Sequence, residues 1–145
     1  MINKKRIKIG YTTGVFDLFH IGHLNLIRKA KKKCDFLIVG VSNDKLCIKV
    51  KKKKPVIPFN ERFLIIKSLK YVDRAVEEKA DDKIKAHNKY KFNIIFKGDD
   101  HKKSKKWKEW KKEFKKRKTK IIFFKYTKGT SSTLIKNVCE KINRR

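Results

Sequence analysis

Near the start of the chain apolar and polar positions alternate: Ile7, Ile9 and Tyr11 are each separated by one polar or small residue and lead into Gly14. That period of two predicts a strand ending in a glycine turn. The period then lengthens. Over 21–33, Leu24 with Ile27 and Leu26 with Ala30 recur at helical spacing while lysines fill the other face, which predicts a helix. Phe36-Leu37-Ile38-Val39-Gly40-Val41 follows as a continuous apolar run, the pattern of a strand buried on both faces. Residues 49–58 hold a lysine run and both prolines and predict a loop. Phe63, Ile66 and Leu69 then form one face of a helix over 59–69. Further on, 72–76 predicts a short strand, 80–90 a short helix, 92–96 a buried strand running to Gly98, and 121–124 another strand. A helix over 131–142, capped by its Ser/Thr cluster, closes the chain. Buried strands alternating with helices predict an α/β protein with helices on both faces of a mostly parallel sheet of about five strands.

The length of 145 residues fits one domain over 1–145, with no repeat or internal boundary. With 39% hydrophobic residues, including ten Phe and two Trp, the chain can build a core, which excludes wholesale disorder. Charge is the outlying feature, with 43 Lys and Arg against 14 Asp and Glu, a net +29. Such a surplus suggests an anionic partner: nucleic acid, acidic membrane, nucleotide or phosphorylated metabolite. A compositional origin competes, because only seven of the cations are arginine and alanine is scarce, as an AT-rich coding sequence would produce. Cys34, Cys47 and Cys139 are odd in number and follow no metal-ligand spacing, so a reducing, cytoplasmic setting is expected. No secretory signal and no apolar run long enough to span a bilayer is present, so membrane insertion is not expected.

The segment 102–120 is intensely basic and carries Trp107, Trp110 and Phe114. Interleaved rings and lysines can form a nucleic-acid platform. The spacings of three and four put all three rings on one helical face, however, and predict that they pack on the sheet while the lysines face solvent.

Chemistry concentrates in Gly14-Val15-Phe16-Asp17-Leu18-Phe19-His20-Ile21-Gly22-His23, where the first strand hands over to the first helix. Open parallel sheets bind ligands at such junctions, and a helix N-terminus offers N–H groups to phosphate. His20 and His23 are three apart, on one face of the first turn, and Gly22 between them allows a phosphate to approach the backbone. A metal held by the two imidazoles is the rival reading, but further ligands at suitable spacing are missing, so no metal-binding residue is assigned. Neither a Walker A lysine nor a G-x-G-x-x-G pattern is present.

With Val41-Ser42-Asn43-Asp44, the lysines before Pro55, Glu61-Arg62, Lys70-Tyr71-Val72-Asp73, Lys97-Gly98-Asp99-Asp100 and Thr127-Lys128-Gly129-Thr130-Ser131-Ser132-Thr133 in this order, the chain resembles the H-x-G-H nucleotidyltransferase superfamily over nearly its whole length. Within it, the chain is most similar to the small cytidylyltransferases, in length and layout to those acting on glycerol 3-phosphate. The resemblance implies a Rossmann-like α/β/α fold and transfer of CMP from CTP to a small phosphorylated alcohol with release of pyrophosphate. Glycerol 3-phosphate is the preferred acceptor, ahead of phosphocholine and phosphoethanolamine. It further implies that His20 and His23 are catalytic and contact the triphosphate. Gly14, Val15, Phe16, Asp17, Gly22, Lys53, Asp99, Tyr126, Thr127, Gly129, Ser131, Ser132 and Thr133 are implied in nucleotide binding, and Lys51, Lys70 and Lys83 in substrate binding. Magnesium accompanying the nucleotide and a homodimer are expected on the same ground.

Two positions depart from the family pattern. Tyr126 and Lys70 stand where cytidylyltransferases usually carry arginine, which leaves an ATP-using adenylyltransferase acting on a sugar phosphate open as an alternative. An inactive nucleotide sensor and a basic nucleic-acid-binding module are the remaining readings; nucleic acid is not expected as the main partner.

Overall fold

The computed structural model describes residues 5–144. In chain order the elements are β1 (Ile9–Gly14), α1 (Ile21–Lys31), β2 (Phe36–Ser42), α2 (Asp44–Lys51), α3 (Phe59–Lys67) and β3 (Arg74–Glu78). They continue with α4 (Lys83–Tyr90), β4 (Ile94–Gly98), a 3-10 turn (Asp99–His101), α5 (Lys105–Lys116), β5 (Lys120–Phe124) and α6 (Ser132–Asn143). The sheet order is β3-β2-β1-β4-β5, and every pairing is parallel. Because side chains alternate across a strand, β2 sends Leu37, Val39 and Val41 to one face and Ile38 to the other. On the first face they meet Ile27 and Ala30 of α1 and Ile66 of α3. On the second, Tyr11 and Ile95 meet Trp107, Trp110 and Phe114 of α5. The three layers of the α/β/α arrangement therefore enclose two cores. Phe114 is 0% exposed, and burial of a ring of this size stabilises the fold by about 2 kcal/mol. With all three rings packed beneath α5, none of them offers a face on which a base could stack.

Boundaries differ from the periodicity in instructive ways. The predicted loop 49–58 begins too early, because α2 runs through Lys51. Asn43 caps that helix, its side-chain oxygen accepting from the Leu46 N–H at 2.8 Å, and Leu46 and Cys47 are buried beneath it. Lys52 then ends it in the left-handed region at φ 57°. Strands β3 and β4 each start two residues later than the apolar runs 72–76 and 92–96, and α4 starts at Lys83 because Asp82 caps it through the Ile84 and Lys85 N–H groups. Ile7 lies outside β1 and is exposed.

The β1–β2 ladder registers six pairs up to Gly14 with Val41, whereas β1 and β4 register only Gly10 with Ile94 and Tyr11 with Ile95. Past Tyr11 the two strands part. Side chains bridge the gap instead: Thr12 Oγ1 donates to the Phe96 carbonyl at 3.0 Å, and Lys97 Nζ donates to the Thr13 carbonyl at 3.0 Å. This opening lies at the point where the chain switches from one side of β1 to the other, where open α/β sheets carry their ligand crevice.

Candidate active site

The crevice is a cleft of about 510 Å³, lined by the loop after β1, residues 51, 53, 54 and 55, the end of β4 and the start of α6. A second cavity of about 310 Å³ adjoins it on the α5 side. Thr13, Gly14, Val15, Cys47, Lys51, Lys97 and His101 line both.

The loop after β1 is held in an unusual path. Phe16 and Leu18 both take positive φ, 55° and 50°, and the Phe16 ring folds back over Gly14, where a Cβ would lie 3.0 Å from the ring. Only glycine fits there without moving a buried ring. The loop delivers His20 to the N-cap of α1. His20 Nδ1 accepts from the Gly22 N–H at 3.0 Å, and His23 Nδ1 accepts from the His20 N–H at 3.3 Å, a reciprocal capping box built from two imidazoles. With Nδ1 accepting in both rings, the neutral proton sits on Nε2. The ring centroids are 3.9 Å apart. Burial lowers the His20 pKa below the usual imidazole value, and burial together with His20 and Lys51, against the opposing pull of Asp17, lowers that of His23 to about 4. Both rings are therefore neutral Nε2–H donors near pH 7.

Facing them is the N-terminus of α6. Ser131 caps it, its hydroxyl accepting from the Leu134 N–H at 3.1 Å, while the Ser132 hydroxyl donates to the Asp17 carbonyl. Positive potential and unpaired N–H groups converge there, the arrangement that receives phosphate.

Most residues implied by sequence meet in this cleft: Gly14, Val15, Phe16, Asp17, His20, Gly22, His23, Lys51, Lys53, Tyr126, Thr127, Ser131, Ser132 and Thr133. Five of the expected residues are placed or partnered in ways the sequence did not show. Asp17 lines the cleft, and its carboxylate accepts the Val56 and Ile57 N–H groups at 2.8 and 2.9 Å and pairs with Lys136 at 2.9 Å, so it fastens chain segments at the cleft wall. Burial alone would raise this carboxyl; the Ile57 amide, Lys136 and the Val56 amide outweigh burial and hold it below the ordinary carboxylate value. Asp99 stands beside the cleft and accepts the Tyr126 N–H at 3.1 Å, shaping the approach to α6. Gly129 is exposed at φ 102° with nothing near its Cβ direction, because the loop turns away from the cleft there. Lys70 lines neither cavity; its ammonium lies 5.2 Å from the Tyr71 ring centre. Lys83 is buried in the wall of the second cavity, neutralised by Glu78 at 2.5 Å and Asp81 at 3.2 Å.

From sequence, Arg62 and Lys97 stood in motif segments without an assigned role, and His101 and Lys136 were missed. Arg62 is 1% exposed and donates to the carbonyls of Ile57, Val15 and Ser42 and to the Asp44 carboxylate, tying the loop after β1 to β2, α2 and the segment before α3. Nothing in the local pattern announces its burial. Lys97 did carry a signal: a lysine ending a buried strand at the crevice has few structural reasons to be there. Among the described residues no three His, Cys, Asp or Glu side chains converge as a metal site, and no helix is long and apolar enough to cross a membrane.

The cytidylyltransferase-like family model matches residues 11–138. The glycerol-3-phosphate cytidylyltransferase of Staphylococcus aureus is 34% identical over 126 residues, covering 86% of this chain and 89% of that protein. That of Bacillus subtilis is 33% identical over 129 residues, covering 86% and 92%. Among solved structures, the lipopolysaccharide core biosynthesis protein of Thermoplasma volcanium superposes with a TM-score of 0.70 at 30% identity, over 86% of this chain and 100% of that one. Parallel sheet, crevice at the β1–β4 opening, imidazole capping box and these matches agree, and the chain belongs to the cytidylyltransferase-like family.

Proposed function

We propose that the protein transfers CMP from CTP to glycerol 3-phosphate, releasing pyrophosphate. The observation that carries this reading is the pair of neutral imidazoles whose Nδ1 atoms are locked by backbone N–H groups, leaving two Nε2–H donors facing the N-terminus of α6 across one cleft. A phosphate oxygen of the acceptor attacks the α-phosphorus. The new P–O bond forms as the bond to the bridging oxygen breaks, and the electron pair leaves with pyrophosphate. A protein nucleophile is not required, so catalysis rests on positioning and on donors that meet developing charge. His20 and His23 donate to the triphosphate, and the Ser132 and Thr133 N–H groups of α6 receive its terminal phosphates. Magnesium bound to the nucleotide would supply charge to its phosphates; among the described residues no cluster of carboxylates, imidazoles and thiols would hold it independently.

The second cavity takes the acceptor. Its Trp110 ring already has the Lys83 and Lys106 ammoniums 5.7 and 5.4 Å from its centre. A quaternary ammonium would have to compete with two cations at a ring that is nearly buried, whereas the carboxylates of Glu78 and Asp81 in the same wall suit hydroxyl groups. This favours a polyol phosphate over phosphocholine. A homodimer and a cytoplasmic location belong to the same reading; sedimentation of the purified protein and fractionation of cells test them.

The deciding experiment is pyrophosphate release with magnesium, four nucleoside triphosphates and a panel of glycerol 3-phosphate, phosphocholine, phosphoethanolamine and sugar 1-phosphates. Turnover with CTP and glycerol 3-phosphate is expected. Release of no pyrophosphate from any pair would sink the proposal, and turnover with ATP and a sugar phosphate would replace it by the adenylyltransferase alternative.

A further inference from the structure

Lys97 is placed differently from every other cation of the cleft. It sits one residue before the end of β4, on the sheet and not on a loop, at the opening where β1 and β4 part. Its ammonium spans that opening to the Thr13 carbonyl at 3.0 Å, and its side chain lines both the larger cleft and the second cavity. One of its three N–H donors is committed to Thr13, and two remain. Other cations nearby are paired or exposed: Lys83 is held by Glu78 and Asp81, Lys136 by Asp17, and Lys29, Lys51, Lys53, Lys54 and Lys125 are exposed. Among the described residues Lys97 makes no ion pair within 4.0 Å, so its charge is not neutralised by the protein.

Resting on the proposed cytidylyl transfer, we infer that Lys97 is a catalytic cation that bridges the two reacting phosphates. The reaction brings an acceptor phosphate dianion against a triphosphate, and their repulsion peaks where the two cavities join. A fixed ammonium at that junction offsets the repulsion and stabilises the charge on the equatorial oxygens of the α-phosphoryl group in the transition state. Lys97 donates hydrogen bonds throughout and transfers no proton.

Charged groups around Lys97 set its titration. Burial, with Lys83 of α4 and Lys51 of α2 adding to it, lowers its pKa to about 8 against the opposing Glu78 of β3 and Asp100 of the 3-10 turn; His101 of that turn also faces the junction. Lys97 is cationic below about pH 8 and loses its charge above it. In the free enzyme, kcat/KM therefore falls as pH rises through this value.

The test uses Lys97→Met, Lys97→Gln and Lys97→Arg, with steady-state pyrophosphate release from CTP and glycerol 3-phosphate, pH profiles and melting curves. The glutamine amide keeps N–H donors without the charge but ends one bond short of the ammonium, so the melting curves report whether the tie to Thr13 is kept, and at wild-type stability Lys97→Gln separates charge from scaffolding. Lys97→Gln and Lys97→Met are expected to lower kcat about 10²-fold or more, with KM for CTP changing by about threefold or less. Lys97→Arg should keep a substantial part of kcat and shift the alkaline limb of kcat/KM upward, since guanidinium does not titrate in this range. Wild-type kcat in Lys97→Gln, or an alkaline limb unmoved in Lys97→Arg, overturns the inference while leaving the cytidylyl-transfer reading intact. An inactive wild type overturns both.

Discussion

Asp17 ties three segments together, and Asp17→Asn tests what that tie is worth. In the wild type its side chain, 5% exposed, accepts the Val56 and Ile57 N–H groups and pairs with Lys136, whose side chain is 34% exposed. Asparagine keeps one acceptor oxygen and turns an NH₂ group toward the second amide. That leaves a part-buried N–H unpaired, at about 1–3 kcal/mol, and removes the charge facing Lys136, whose partial exposure limits that part to about 1 kcal/mol. The sum is about 3 kcal/mol. With an unfolding entropy near 2 cal/mol/K per residue, a chain of 145 residues loses about 10 °C of melting temperature. Activity should suffer through binding, because the tie joins the loop carrying His20 to the Pro55 segment and to α6; KM for CTP is expected to rise about tenfold. Thermal unfolding by circular dichroism and steady-state kinetics measure both effects. The sign with pH follows from the lowered carboxyl. Its contribution is complete above the unfolded value near 4 and is lost as pH falls through the lower folded value, so the two melting curves should converge in acid. A melting temperature within about 2 °C of wild type at pH 7 would refute the reasoning.

His23→Ala deletes one Nε2 donor and should lower kcat by about 10²-fold, about 3 kcal/mol of transition-state stabilisation, while calorimetry finds CTP affinity within about fivefold of wild type. In Gly22→Ala the new Cβ would lie 2.8 Å from His20 Cε1, so the pinned ring must move; kcat should fall at least tenfold with the melting temperature nearly unchanged. Raising ionic strength from about 0.05 to 0.5 M should weaken kcat/KM for the phosphorylated substrates severalfold, because the net charge of +29 steers anions from a distance that salt screens; a flat salt profile would show that the distant lysines do not act on encounter.

What could be seen along the chain was whatever is encoded within a few residues. The imidazole capping box lies in residues 20–23, and a helix start brings such neighbours together wherever the helix sits. Trp107, Trp110 and Phe114 declared their buried face by helical spacing, and the Ser131 cap by its place before the last helix. Helix α2 escaped because it is short and rich in lysine, with only Leu46 and Cys47 buried, and because its stabilising cap at Asn43 overlaps the strand end before it.

Sequence alone thus determined the alternation of elements, the parallel α/β class and the junction bearing His20 and His23, since these follow from periodicity and from contacts within one turn. Only the tertiary structure decided which charges the protein itself partners. Asp17 is engaged by two amides and Lys136, Lys83 by two carboxylates and Arg62 by three carbonyls and Asp44, whereas Lys97 is left with an unneutralised ammonium where the cavities meet. The physical reason is that the state of a charge depends on which partners surround it and how far water is excluded, and those partners come from strands and helices distant in the chain.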